Sequence, residues 1–192
     1  MPRLLKPSRL RSLLVTGLIS LGLCVNTAMS ARAEGRKLSG SDAAPEYVLK
    51  ASFLYNFAQF TTWPTRPDNL LHLCVLGPDP FGAALDSIDG KEVGTSRLLI
   101  HRTRSVETAL RTCQIIFVTD SEVEDFVARP NVDSLRNGVL SIAERDGAAR
   151  AGIVIGLTLE ERRLGFEFNQ QAAERSGVTI SSKLLRLARK VY

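Results

Sequence analysis

The chain has 192 residues, 25 Lys+Arg against 20 Asp+Glu for a formal net charge of +5, and only 6% aromatic residues. Five of those basic residues (Arg3, Lys6, Arg9, Arg11 and Arg32) precede position 34 and no acid does, so residues 34–192 carry 20 of each sign. The positive excess belongs to the N-terminal segment alone, which removes the electrostatic footing of a nucleic-acid-binding role.

That segment starts with the basic stretch "MPRLLKPSRLRS", continues as an apolar run over residues 13–25 and ends in Ala31-Arg32-Ala33. Such an order reads as a secretory signal peptide over residues 1–33. The apolar run is shorter than the roughly 20 residues a membrane-spanning helix needs. Cys24 closes the run, but Leu23 before it is larger than a lipid-anchor signal accepts, so export without lipidation is expected. Residues 34–44 hold turn formers and charges without periodic apolar positions and read as a flexible lead-in. Residues 45–192 show no repeat and no linker, which predicts one domain of ample size for a single core.

The first folded element is predicted as a helix from about Pro45 to Trp63, in which Phe53, Leu54, Phe57, Ala58 and Thr61 form one apolar stripe. Half of the chain's aromatic residues fall between positions 47 and 63. Tyr55, Phe60 and Trp63 lie off the stripe, so the aromatic surface is wider than one core face requires. Those three either anchor a partner or pack beneath the C-terminal elements. Strands are predicted at 71–77 ("LHLCVLG"), 96–102 ("SRLLIHR"), 113–119 ("CQIIFVT") and 138–143 ("GVLSIA"). The last two are near-continuous apolar runs, as strands buried on both faces are. Between them lie helical stretches after Pro78, at 105–112 with Ser105 as its cap, and at 121–130. Alternating strands and helices predict an α/β, Rossmann-like domain with a mostly parallel central sheet and helices on both faces. "GIVIGLTLEERRLGFEFN" then reads as an antiparallel hairpin at the sheet edge, followed by a helix stopped at Gly177 and a basic final helix, "SSKLLRLARKVY".

Chemistry-bearing motifs are scarce. There is no G-x-S-x-G elbow and no phosphate-binding Gly-Lys-Ser/Thr loop, and the chain has two histidines, His72 and His101. No catalytic site, cofactor or metal is therefore expected. Beyond the leader the cysteines are Cys74 and Cys113. An even, low count in an exported chain favours one disulfide, with two buried free thiols as the alternative. A Cys₂His₂ metal set with His72 and His101 is also conceivable, though its spacing matches no zinc module.

Taken together, "YVLKASFLYNFAQFTTWP", "LCVLGPDPFG", "CQIIFVTDSE" and "FEFNQQAAERSGVTISSKLLRLARKV" resemble the YfiR family over nearly all of residues 47–191. The resemblance implies a periplasmic α/β protein that represses an inner-membrane diguanylate cyclase by binding its periplasmic sensor domain. An OmpA/Pal-like outer-membrane lipoprotein would sequester the repressor and release the cyclase. It also implies that Cys74 and Cys113 are bridged. The second pair of cysteines found in the family's better-known member is missing from "SIAERDGAARAGIVIGL". Candidate contact residues are Tyr55, Phe60 and Trp63 on the aromatic helix and Glu167 and Asn169 on the hairpin, with the basic final helix beside them. Homodimer pairing stays open, since no motif fixes an interface. The alternative from another class is a periplasmic small-molecule sensor whose ligand sits at the strand ends near residues 77–81 and 119–122.

Overall fold

The computed structural model describes residues 43–63, 69–129, 138–161 and 163–192, all within one compact unit. The expected leader, and residues 34–42 of the expected lead-in, lie outside the described residues. In chain order the elements are α1 (Ala43–Gln59), β1 (Thr61–Thr62), β2 (Leu70–Leu76), α2 (Ala83–Asp86), β3 (Glu92–Val93), β4 (Ser96–Thr103), α3 (Val106–Thr112) and β5 (Ile115–Val118). A 3₁₀ turn, Asp120–Glu122, leads into α4 (Val123–Ala128). Then follow β6 (Leu140–Glu144), α5 (Ala148–Ala151), β7 (Ile155–Glu160), β8 (Arg163–Phe168), α6 (Gln170–Arg175), β9 (Thr179–Ile180), α7 (Ser182–Leu185) and β10 (Lys190–Val191).

Eight strands form one sheet in the order β10-β8-β7-β6-β5-β2-β4-β3, and β1 pairs with β9 in a separate antiparallel ladder. From β4 to β7 every neighbouring pair is parallel, whereas β7–β8 and β4–β3 are antiparallel. This is the expected α/β domain with a mostly parallel sheet. The order reverses between β2 and β5, the switch point of a doubly wound sheet. Strand alternation sends Leu71, Leu73 and Val75 of β2 to one face, against Leu54 and Phe57 of α1. Cys74 and Leu76 point to the opposite face, against Leu110 of α3 and Phe126 of α4. Ser105 caps α3 as expected, its hydroxyl accepting from the Thr108 amide at 3.2 Å.

Three boundaries differ from the sequence expectation. First, α1 ends at Gln59 rather than Trp63: the Thr61 hydroxyl donates to the Phe57 carbonyl at 2.7 Å, and Thr61 and Thr62 then pair with Ile180 and Thr179. Second, the hairpin is not the edge of the sheet, because β10 adds in parallel outside β8. Third, the expected basic final helix is only the four-residue α7, followed by an extended end. Backbone bonds from Arg189 N to Phe166 O (2.9 Å) and from Tyr192 N to Phe168 O (2.8 Å) make the chain end a strand. Pairing an otherwise open edge outweighs the weak helical preference of so short a segment.

Candidate functional site

Helix α1 has two apolar faces. One is core: Ala51, Leu54, Phe57 and Ala58 are buried. The other carries Leu49, Phe53 and Asn56, spaced so that they share one side of the helix, and Phe60 continues that side one residue past its end, its amide donating to the Asn56 carbonyl at 3.1 Å. Leu49 is 46% exposed and Phe60 40%, while Phe53 is half-buried. Opposite this second face stand Leu164 and Phe166 of β8, with Leu184 of α7 and Leu187 just beyond it, and together they border a groove of about 250 Å³. The Phe57 and Phe166 rings meet edge to face with centroids 5.1 Å apart and form its floor. Leu187 is 71% exposed, and Leu159, the cross-strand partner of Leu164, extends the apolar surface outward. Exposed Lys183 and Arg186 flank the α7 side, and residues 176–192 contain no Asp or Glu. The result is an open apolar groove with two exposed cations, Lys183 and Arg186, beside its α7 wall.

The five expected contact residues are dispersed. Phe60 lines the groove. Tyr55 is half-buried and faces away: its hydroxyl donates to the Glu92 carbonyl at 2.8 Å, which fastens α1 to β3. Trp63 packs partly buried against the core near Leu71 and Val93, around a different depression. Glu167 is half-buried and accepts from the Tyr192 hydroxyl at 3.1 Å. Asn169 is buried and caps α6, its Oδ1 accepting from the Ala172 amide (2.8 Å) while its Nδ2 donates to the Ala149 carbonyl (2.6 Å). The polar groups of Tyr55 and Asn169 are thus committed inside the fold. Sequence reasoning missed Leu49, Leu164 and Leu187. The signal was an excess of leucine in the basic tail over what a single core stripe uses.

Cys74 and Cys113 form the expected disulfide, with S–S 2.10 Å and Cα–Cα 5.8 Å, joining β2 to the C-terminal cap of α3. Among the described residues no group of three or more His, Cys, Asp and Glu is placed to hold a metal ion. At the switch point, Gly77 (φ 101°) brings its backbone so close to β5 that a Cβ would lie 2.1 Å from the Thr119 Oγ1. The Thr119 hydroxyl and amide both donate to the Leu76 carbonyl, at 2.9 and 3.1 Å. The strand ends expected to cradle a small ligand are therefore stitched together at that point. Nearby, the buried Lys50 ammonium lies between the Glu46 and Glu144 carboxylates. Burial alone would lower its pKa, but hydrogen bonds and charge from Glu144 and Glu46 outweigh that and hold it above the usual lysine value.

Fold and groove together make a disulfide-bridged, doubly wound α/β domain with an open apolar groove on one surface. The chain belongs to the DUF4154 family, described as YfiR/HmsC-like, whose model matches residues 47–189. Membership supports a periplasmic regulatory role, and the disulfide fits an extracytoplasmic compartment. Among solved structures, the ABC domain in complex with L-Trp from Streptococcus pneumoniae is similar with a TM-score of 0.52 at 11% identity, covering 74% of this chain and 60% of that one. A conserved domain protein from Vibrio cholerae gives a TM-score of 0.49 at 9% identity, covering 76% of this chain. The chain spans 60% of the length of each of these two structures, and the likeness to the first extends to the fold.

Proposed function

We propose that the protein is a periplasmic negative regulator that holds an inner-membrane diguanylate cyclase inactive by docking on its periplasmic sensor domain through the groove between α1, β8 and α7. Occupancy is the switch. While docked, the protein keeps cyclic-di-GMP low, and capture by an OmpA/Pal-like outer-membrane lipoprotein frees the cyclase. Family membership supports the regulatory role. The observation that carries the docking mode is the line of apolar side chains left open beside a fully formed core, with Phe60 and Leu187 exposed next to Lys183 and Arg186. Its complement is an amphipathic segment with an apolar stripe and carboxylates along one margin. No bond-making step is involved.

The test is capture of the detergent-solubilised cyclase by the immobilised protein, together with cellular cyclic-di-GMP. The wild type captures the enzyme and lowers the second messenger, whereas a folded Phe60→Ser/Leu187→Ser variant does neither. Full capture and repression by that variant would remove the groove from the account. A wild-type protein that leaves cyclic-di-GMP unchanged would remove the regulator reading itself.

A further inference from the structure

The chain contains two histidines, and the fold brings them together. His72 lies on β2 and His101 on β4, where His101 is the register partner of Cys74. Their side chains share one face of the sheet, and His72 Nδ1 faces His101 Nε2 at 2.7 Å with ring centroids 4.9 Å apart. Both are half-buried, so the rings are held by the fold yet reachable from solvent.

From this juxtaposition we infer that His72 and His101 form a two-histidine site for a divalent transition-metal ion, with water completing its coordination. The geometry fits. Two metal–nitrogen bonds of about 2.0–2.1 Å place their nitrogens about 2.9 Å apart at a right angle and about 3.3 Å apart at a tetrahedral one. At 2.7 Å with centroids 4.9 Å apart the rings meet nearly head-on, so binding opens the pair by about 0.2–0.6 Å and turns both rings off the line between the nitrogens until their lone pairs converge on the ion. In the metal-free pair one ring donates and the other accepts. With His101 as the donor, its N–H passes through solvent to Nδ1 of the same ring on binding, and both facing lone pairs then bind the ion.

The scaffold around the pair is rigid. The His72 amide donates to Gln114 Oε1 and the His72 carbonyl accepts from the Gln114 amide, both at 3.0 Å. Adjacent to Gln114, Cys113 is bridged back to Cys74 on the same strand as His72. The bridge also removes both sulfurs as thiolate ligands, which leaves the two imidazoles as the donors among the described residues. Imidazole nitrogen selects Cu²⁺, Ni²⁺ and Zn²⁺ and has little affinity for Mg²⁺ or Ca²⁺, with Cu²⁺ bound most tightly.

Calorimetric titration of the oxidised protein with each ion tests the site, alongside the Cu²⁺ electron paramagnetic resonance spectrum. One equivalent of Cu²⁺ with coupling to two imidazole nitrogens is expected, followed in affinity by Ni²⁺ and Zn²⁺. His72→Ala and His101→Ala should each weaken it by about tenfold or more. Retained circular dichroism and an intact disulfide show that each variant is folded. Should one variant fail to fold, the other together with the two-nitrogen signature decides the matter. No binding by the wild type, or equal binding by the folded variants, overturns the proposal.

Discussion

The ammonium of Lys50 lies 2.5 Å from Oε1 of Glu144, joining the first helix to the end of the central strand β6 inside the protein. Lys50 is only 1% exposed, whereas the two carboxylates that hold it reach solvent. Replacing Lys50 by Ala empties a buried volume and breaks both pairs, and should cost about 3 kcal/mol in urea unfolding. Lys50→Met keeps the aliphatic stem and should recover part of that loss. Glu144→Gln should cost less than Lys50→Ala, because Glu46 still neutralises the ammonium.

The same pair carries a pH dependence of definite sign. The Lys50 pKa is raised in the folded protein, so the folded state retains this proton more strongly than the unfolded chain. Its contribution is fully present below the unfolded value of about 10.4 and is lost as the pH rises through the higher folded value. Unfolding measured across the alkaline range should show an extra decline in the wild type that Lys50→Met lacks. Parallel curves would contradict the assignment.

Side chains of one type on α1 should separate cleanly by the face they occupy. Phe57 is 1% exposed, and Phe57→Ala should cost about 3–5 kcal/mol. Phe60 is 40% exposed, and Phe60→Ala should cost no more than about 1 kcal/mol while weakening partner capture. Trp63→Ala should behave as a stability variant, since its ring packs against the core. Thermal melts and capture on the same preparations distinguish the two classes. Equal destabilisation by Phe57→Ala and Phe60→Ala would mean that Phe60 is core.

Periodic signals made much of this architecture readable in the sequence. The buried strand β5 is an uninterrupted apolar run, β6 is broken only by Ser141 before its last residue, Glu144, and α3 announces itself through Ser105 and Glu107. The last residues misled because Leu184, Leu185, Ala188 and Val191 satisfy a helical stripe locally, although Val191 is 48% exposed and its strand bonds to β8. No local pattern encodes that a neighbouring edge needs a partner. Asn169 was singled out for an exposed hairpin, yet it sits directly before "QQAAER", the place of a helix cap, and that signal was legible. The groove was half legible: the aromatic excess marked one wall, while Leu164 and Leu187 join it only through tertiary contact. Lys50 gave no sign beyond its spacing from Glu46, because Glu144 is 94 residues away.

Reduction of the disulfide should destabilise the domain without dissolving its sheet. Cys74 and Cys113 are 39 residues apart, and opening a loop of that size costs about 4 kcal/mol on the chain-entropy model. The Cys74→Ala/Cys113→Ala protein should unfold at lower urea concentration, and reductant should shift the wild type towards it while leaving the variant unchanged. Because the bridge lies on the opposite face of the sheet from the groove, capture by the folded variant should be retained. Loss of capture at full folding would show that bridge and groove are coupled.

Gly165 and Arg189 offer a sharper test of how the chain end is held. A Cβ at Gly165 would lie 2.1 Å from Arg189 Nε and 2.6 Å from its Cζ, so the guanidinium passes directly over the glycine. From there Arg189 donates to the Arg163 carbonyl at 2.9 Å and pairs with Glu160 at 2.5 Å. Gly165 is not among the glycines with positive φ, so alanine meets no backbone strain there and its whole cost is the displacement of Arg189. Gly165→Ala should therefore destabilise by about 1 kcal/mol, the worth of one hydrogen bond and a surface ion pair. With Arg189→Ala already in place the same change should be neutral or slightly stabilising, since alanine orders a strand better than glycine. The double-mutant cycle should thus return a coupling of about 1 kcal/mol. An identical cost for Gly165→Ala in both backgrounds would show that Arg189 does not cover the strand.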